Sequence, residues 1–384
     1  MENLTSSRSD LSPERRKAIL FVAVFAATLV KLLLAWFTLG TNDIATWRTF
    51  ADNAVRCGSC AYYLPGPYGD PFNHPPFIIL FLKSIAALSP FPFWLRLPSI
   101  IADIVTVFLV SRLLPNASLA LLLLLAVNPV SILVSGFHGN IDPVMIAFLL
   151  AATFFATKDR VLLAGFAFGM ALNIKIVPLL FAPSFLVYIA PLKRKSAFCA
   201  SAIAAVVLLS LPYLLDAREV VASVLGYRGL FTNWGLAHYA NLAGLRPVHV
   251  LAKPFQYLLF GVCAIMPWYL RRRGLSLYAA CACVVLAFYA LTPSLALQYL
   301  AWGVPFIAAL GFGRAALYYA LAGSLVALQY HRWSGGQWIF ADSHSVLPVT
   351  AETEFLSFAL WVYCCVLLAY QFRLNARHRC AIPS

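Results

Sequence analysis

Long apolar runs, each closed by a charge, a proline or a glycine, recur along the chain. Runs of about 20 residues cross a hydrocarbon layer about 30 Å thick, and helix is the spanning form that pairs its own backbone there. The pattern predicts twelve transmembrane helices near 18–39, 95–111, 118–135, 143–157, 161–174, 178–191, 197–215, 248–270, 275–291, 299–313, 315–330 and 356–371. Residues 18–372 then form a single transmembrane domain between two short tails, 1–17 and 373–384, with a long loop at 41–93. One apolar stretch, from Pro75 to Pro90, is bounded by prolines and interrupted by Lys83. Its length suits a helix that lies in the interface or re-enters rather than one that crosses.

Composition agrees with this all-α, polytopic membrane reading. The chain is 62% hydrophobic and 11% charged, with mean hydropathy +0.83, whereas a soluble domain carries roughly 25% charge. A large soluble catalytic domain is excluded. The net charge of +14 bears on topology and anionic lipid before nucleic acid. If 75–90 does not cross, seventeen Lys and Arg fall on the cytoplasmic side and nine on the other. If it crosses, the balance reverses, against the positive-inside rule. Both termini are therefore expected in the cytoplasm. The polar start lacks a small-residue cleavage site and is expected to be retained ahead of the first helix. The same rule splits 161–191 into two short helices with a break near Asn173, Lys175 and Pro178, since proline disfavours helix at and before itself.

This topology gathers the unusual polar residues at one end of the bundle. Asp43 follows the first helix and opens a segment whose Ile44, Trp47, Ala51 and Val55 predict an amphipathic surface helix. Its structural alternative is an N-cap at Asn42 or Asp43. His74 precedes Pro75 and Pro76, and either stiffens the entrance to the next helix or faces substrate. His138, Asn140 and Asp142 lie in SGFHGNIDP, a helix-breaking turn. Lys175 either snorkels or meets a phosphate. Arg228, Trp234 and His238 follow the seventh helix, Gln298 and Tyr299 lie in LALQYLAW, and Arg332 ends another helix. Interfacial belts explain such aromatics equally well. Cys57 and Cys60 could close a small disulfide in an oxidising compartment, and the other cysteines of the apolar runs read as packing residues.

In this order the blocks resemble the type C glycosyltransferases, multi-span enzymes that take sugar from a polyprenyl-phosphate donor. Asp43 matches their acidic residue of the first loop, and NHPPFIILFL, at Asn73 to Leu82, is similar to their Y/H-P-P-L segment. LRLPSIIADIVTVFL, SGFHGNIDPV, ALNIKIVPLLFAP and LQYLAWGVPF are similar to further blocks of the N-glycan-assembly enzymes and their bacterial relatives. Two features depart from that pattern. Asn42 stands where a paired acid is common, which speaks against a two-carboxylate metal site, and HGNID differs from the glucosyltransferase H-F-Q-Y-N, so glucose is not carried over.

The resemblance implies the GT-C fold and transfer of a hexose or pentose to a lipid-linked glycan, polysaccharide or glycolipid, in a bacterial inner membrane with the site facing the periplasm. Membrane lipid is the remaining partner and no nucleic acid is expected. It assigns Asp43 as general base, with Lys175, His138, Asp142, His74 and Arg332 toward donor phosphate or sugar, and Asn140, Arg228, Trp234, His238, Gln298 and Tyr299 as substrate contacts. No cofactor is implied with certainty, and a divalent cation, Mg or Mn, is left open. The rival class is a flippase for a lipid-linked saccharide, with Lys31, Lys83, Asp103 and Lys175 along its path. Internal repeats expected of many transporters are not visible.

Overall fold

The computed structural model describes residues 12–67, 69, 72–226, 233–245, 248–336 and 350–377. Arg228 lies outside the described residues. Helices α1 Pro13–Phe37, α2 Asp43–Cys57, α3 Cys60–Tyr63, α4 Pro76–Ile85, α5 Phe91–Leu113 and α6 Leu119–Ala126 come first. α7, Pro129–Leu133, runs into a π-helical turn, Val134–His138, and α8 Asp142–Thr157 and α9 Val161–Ile174 follow it. Beyond a 3₁₀ turn, Val177–Phe181, come α10 Ala182–Tyr188, α11 Leu192–Ser210, α12 Ala217–Gly226 and α13 Gly235–Leu242. The chain continues through α14 Val248–Arg272, α15 Leu277–Leu291, α16 Leu300–Ala308, α17 Phe312–Trp333 and α18 Ala351–Arg377. There is no strand among the described residues.

Local chemistry sets several of these boundaries. Ser12, Ser118, Asn128 and Ser276 each accept a backbone N–H of the first turn of α1, α6, α7 and α15, as N-caps do. Among the described residues, five helical stretches are long and apolar enough to cross a membrane: α1, α5, Leu119–His138, Leu192–Gly226 and Ala351–Arg373. Others are shorter. α8 and α9 have 16 and 14 residues, or about 24 and 21 Å at 1.5 Å per residue. The chain is an all-α polytopic membrane protein. α4 has only 10 residues, about 15 Å, too short to cross, and it packs against α2.

α2 turns inward most of the stripe its pattern suggests, with Ala54 in place of Val55. Trp47, Phe50, Ala51 and Ala54 are buried while Val55 is exposed. The i, i+3, i+4, i+7 spacing of this set follows the 3.6-residue period, and Val55, one position past Ala54, falls off that face. Cys57 and Cys60 form a disulfide between α2 and α3. Among the described residues, the six cysteines outside this disulfide are buried or half-buried.

Close approach fixes the α9–α11 pair. A Cβ on Gly169 would sit 2.4 Å from the Ala202 carbonyl oxygen, so only glycine allows the two backbones to meet there, the small-residue logic of membrane helix packing. Asn173, one turn further, donates to the carbonyls of Gly169 at 3.0 Å and Ala205 at 3.1 Å. α9 then ends, and Lys175 is extended at φ −157°, ψ 150°, the break that the charge pattern requires.

Two buried cations brace α1. Lys31 bonds Asp103 at 2.6 Å and Ser131 Oγ at 2.7 Å. Arg96, wholly buried on α5, donates from Nη1 to the Ala35 carbonyl at 3.1 Å and the Thr38 carbonyl at 2.9 Å. It thereby satisfies carbonyls that the C-terminus of α1 would leave unpaired, and its charge complements that end of the helix dipole.

Candidate active site

Four helix ends meet above α1, and each carries one of the charged or titratable residues picked out from the sequence. Asp43 and Asp142 are the first residues of α2 and α8, His138 closes the π-helical turn, and Lys175 follows the last residue of α9. Carboxylates at N-termini and a cation at a C-terminus complement the helix dipoles. Gly139, at φ +84°, takes the left-handed conformation that lets the chain leave the π turn and re-aim toward α8.

Asp43 is not a cap. Asn42 occupies the N-cap position without a side-chain bond, and the Asp43 carboxylate reaches sideways to His138, Nε2 to Oδ2 at 2.9 Å. An ionised carboxylate only accepts, so Nε2 carries the proton and donates it. Asn140 also favours the ionised form of Asp43, while its Oδ1 accepts from the Asp142 backbone N–H at 2.9 Å. Burial raises the Asp43 pKa, but His138, Asn140 and the Lys175 charge outweigh it and hold the carboxyl below its usual 3.8. A third of the Asp43 side chain remains open, so a reactant can reach it.

Asp142 is fully buried and faces two donors. Lys175 Nζ lies 3.0 and 3.2 Å from its two oxygens, and Trp302 Nε1 donates to Oδ2 at 2.8 Å. The ammonium lies 4.3 Å from the Tyr299 ring centroid and 5.6 Å from that of Trp302, a cation–π setting. Lys175 is thus held from beneath by a carboxylate and flanked by two aromatic faces. Gln298, next to Tyr299, is half-buried.

His74 lies at the same place. Its Nδ1 donates to the Ile174 carbonyl at 3.1 Å, and its ring packs on Trp47 with centroids 4.8 Å apart. Burial, aided by the Lys175 charge, pushes its pKa down to about 4 from 6.5, so the imidazole is neutral at pH 7. Between pH 6.5 and about 4 the unfolded chain binds this proton and the folded one does not, so the contribution of His74 is complete above pH 6.5 and is lost as pH falls toward 4. The expected loss of about 3 kcal/mol should appear as a lowered midpoint of thermal unfolding in detergent at pH 4.5 relative to pH 7. A His74→Gln variant should lack that part of the slope.

The remaining sequence candidates are placed elsewhere. Trp234 is buried and donates from Nε1 to the Tyr289 carbonyl at 2.7 Å. His238 bonds Glu354 at 2.7 Å, and Tyr239 bonds Ser357 at 2.9 Å, which fastens α13 to α18. Arg332 is two residues, about 200° of helix, from Tyr330, and its charge acts on Glu352 near the start of α18.

Tyr330 itself is the functional candidate that the sequence did not expose. It is wholly buried, its ring stacks on that of His138 at 5.5 Å, and its hydroxyl lies 2.7 Å from His138 Nδ1. Its place in the polar end of α17, between Gln329 and His331, was its only signal.

Among the described residues no group of three or more His, Cys, Asp and Glu side chains is arranged to hold a metal ion. Asp43 faces His138, and Asp142 faces Lys175 and Trp302. These carboxylates are served by N–H donors, a set that does not fit a divalent cation, and no step here is routed through one.

Residues 72–293, more than half of the chain, match glycosyltransferase family 87, a span that contains His74, His138, Asn140, Asp142 and Lys175. No curated protein matches. A bundle of apolar helices whose ends collect an ionised, accessible carboxylate and a fixed ammonium, together with this match, makes the chain a membrane-embedded member of glycosyltransferase family 87.

Proposed function

We propose that the protein transfers a hexose or pentose from a polyprenyl-phosphate donor to an acceptor hydroxyl on the extracytoplasmic side, by a single inverting displacement. The observation that carries this reading is the juxtaposition of Asp43, accessible and ionised, with Lys175, whose positive charge Asp43 feels. As the acceptor oxygen bonds to the anomeric carbon, its proton passes to Asp43. The bond from that carbon to the phosphate oxygen breaks on the opposite side, and polyprenyl phosphate departs. Lys175 meets the negative charge that grows on the phosphate, the use of a preorganised cation that lowers a barrier most. His138 and Asn140 orient Asp43; Asp142, Trp302 and Tyr299 hold Lys175.

The excess of basic residues on the opposite end supports a site facing away from the cytoplasm, which in a bacterial inner membrane is the periplasm. Acceptors of this class are lipid-linked glycans, polysaccharides or glycolipids. The test is transfer in liposomes from a panel of synthetic polyprenyl-phosphate hexoses and pentoses to extracted membrane acceptors, scored by mass spectrometry. Consumption of one donor with a mass gain on an acceptor is the expected result. Labelled lipid-linked sugar that changes leaflet with no donor consumed would replace the transferase with a flippase.

A further inference from the structure

The mechanism above uses His138 only as a neighbour of Asp43, yet the ring has two nitrogens and both are engaged. Nε2 faces Asp43 at 2.9 Å and Nδ1 faces the Tyr330 hydroxyl at 2.7 Å. These bonds join residues far apart in the chain, on α2, the π turn and α17. The backbone of His138 is tied as well, since its carbonyl accepts from Thr41 Oγ1 at 2.9 Å. Thr41 precedes Asp43 by two residues, so the loop that carries the base is fastened to the turn that carries the imidazole.

A neutral imidazole holds one proton, and which nitrogen carries it is decided by what faces each side. In water the two tautomers interconvert freely. Here the carboxylate selects the Nε2–H form, and that form leaves Nδ1 bare, able only to accept. A phenol is a donor as well as an acceptor, so Tyr330 O–H completes a chain in which every polar atom is satisfied: Tyr330 O–H to Nδ1, then Nε2–H to Asp43 Oδ2.

We propose that Tyr330 is a positioning residue that locks His138 in the Nε2–H tautomer and thereby keeps the Asp43 carboxylate ionised and aimed at the acceptor. The role rests on the reading of Asp43 as the base. Without the phenol, Nδ1 would be buried with no donor beside it, and the Nε2–H form would lose one of the two bonds that favour it over the Nδ1–H form. That form would set the bare Nε2 lone pair against the carboxylate, a repulsion that protonation of Asp43 relieves. Other ionisable or charged groups stand around this pair on neighbouring elements: Lys175 and His74 interact electrostatically with Asp43, Asp142 is paired with Lys175, and Arg96 lies beside Gly139. None of them bonds Nδ1 among the described residues, so Tyr330→Phe removes one bond and nothing else.

The test has two arms. In the first, Tyr330→Phe is compared with wild type in transfer assays across pH. The expected result is a fall in kcat of about tenfold, the order of one hydrogen bond to a polar, partly charged system, with the KM for donor unchanged and the acid limb of kcat/KM moved to higher pH by about one unit. A uniform fall at all pH values, or an unchanged profile in a folded variant, would overturn the proposal.

In the second arm, the protein is labelled with ¹⁵N-histidine, reconstituted in nanodiscs and read by nitrogen chemical shifts, with the His138 signal identified by its loss in His138→Gln. The expected result is one Nε2–H tautomer in wild type and a mixture in Tyr330→Phe. A single Nε2–H tautomer in both would overturn the proposal even if activity changed. This arm needs no turnover, so an inactive protein that still shows the tautomer change would count against Asp43 as base and not against the lock.

Discussion

Asp43→Asn is expected to lower the rate of sugar transfer by about 10²- to 10⁴-fold, the range over which a positioned general base accelerates proton transfer. Asn keeps the shape and still accepts from His138 Nε2, so the fold and the approach of α2 to the π turn persist. What is lost is a group that can take the acceptor proton. The measurement is the initial rate at saturating donor, with folding checked by thermal unfolding in the same detergent. A variant that folds and turns over like wild type would remove Asp43 from the chemistry.

The pH dependence follows the same carboxylate. Its pKa is held below 3.8, so the base is ionised through the neutral range, and its own protonation should cost activity only below about pH 4. Stability carries the same sign. The contribution of Asp43 is complete above its unfolded pKa and is lost as pH falls through the lower folded value.

Asp142→Ala is expected to have the largest effect on the folded state, about 3–5 kcal/mol. The substitution strands the Lys175 ammonium, 12% exposed, without its carboxylate, and leaves the Trp302 N–H without its acceptor. Asp142→Asn keeps an oxygen for Trp302 and the shape of the site, and should cost less. Combining Asp142→Asn with Lys175→Met removes both charges at once. If the pair works through charge balance, the double variant should unfold at a higher temperature than Asp142→Ala while still failing to transfer sugar. If Asp142→Ala unfolds like wild type, Asp142 does not hold Lys175.

Much of this architecture was legible because membranes punish violations of simple rules. Apolar runs must become helices, and counting Lys and Arg was enough to keep residues 75–90 from crossing; α4, ten residues long, agrees. The break at Lys175 was forced by two basic clusters that belong on the same face. Asp43, His138, Asp142 and Lys175 could each be named because ionisable groups at the ends of apolar helices are costly.

Their pairing could not be read. The partner of Asp43 lies on the π turn and the partner of Asp142 across a break in α9, and no local spacing records such contacts. Tyr330 was missed for a related reason. An aromatic near the end of a transmembrane helix looks like part of an interfacial belt, and only the folded chain shows its hydroxyl turned inward onto His138. The stripe of α2 was legible as far as Ala51, but Ala54 and Val55 are neighbours and only the packing of α2 decides that Ala54 faces inward.

The short reach of α9 changes what the surrounding lipid has to do. At 14 residues the helix falls some 9 Å short of a hydrocarbon layer about 30 Å thick, and Leu162, Leu163 and Phe166 stay exposed at the end opposite Lys175. Lipid meeting that flank has to compress or tilt to cover them, a mismatch that costs fractions of a kcal/mol per Å. Lys175 closes this short helix, so a bilayer that thins to match α9 brings its ammonium toward the headgroup level. The phosphate of the proposed lipid-linked donor, tethered to a long hydrocarbon, would arrive there sideways, from within the leaflet.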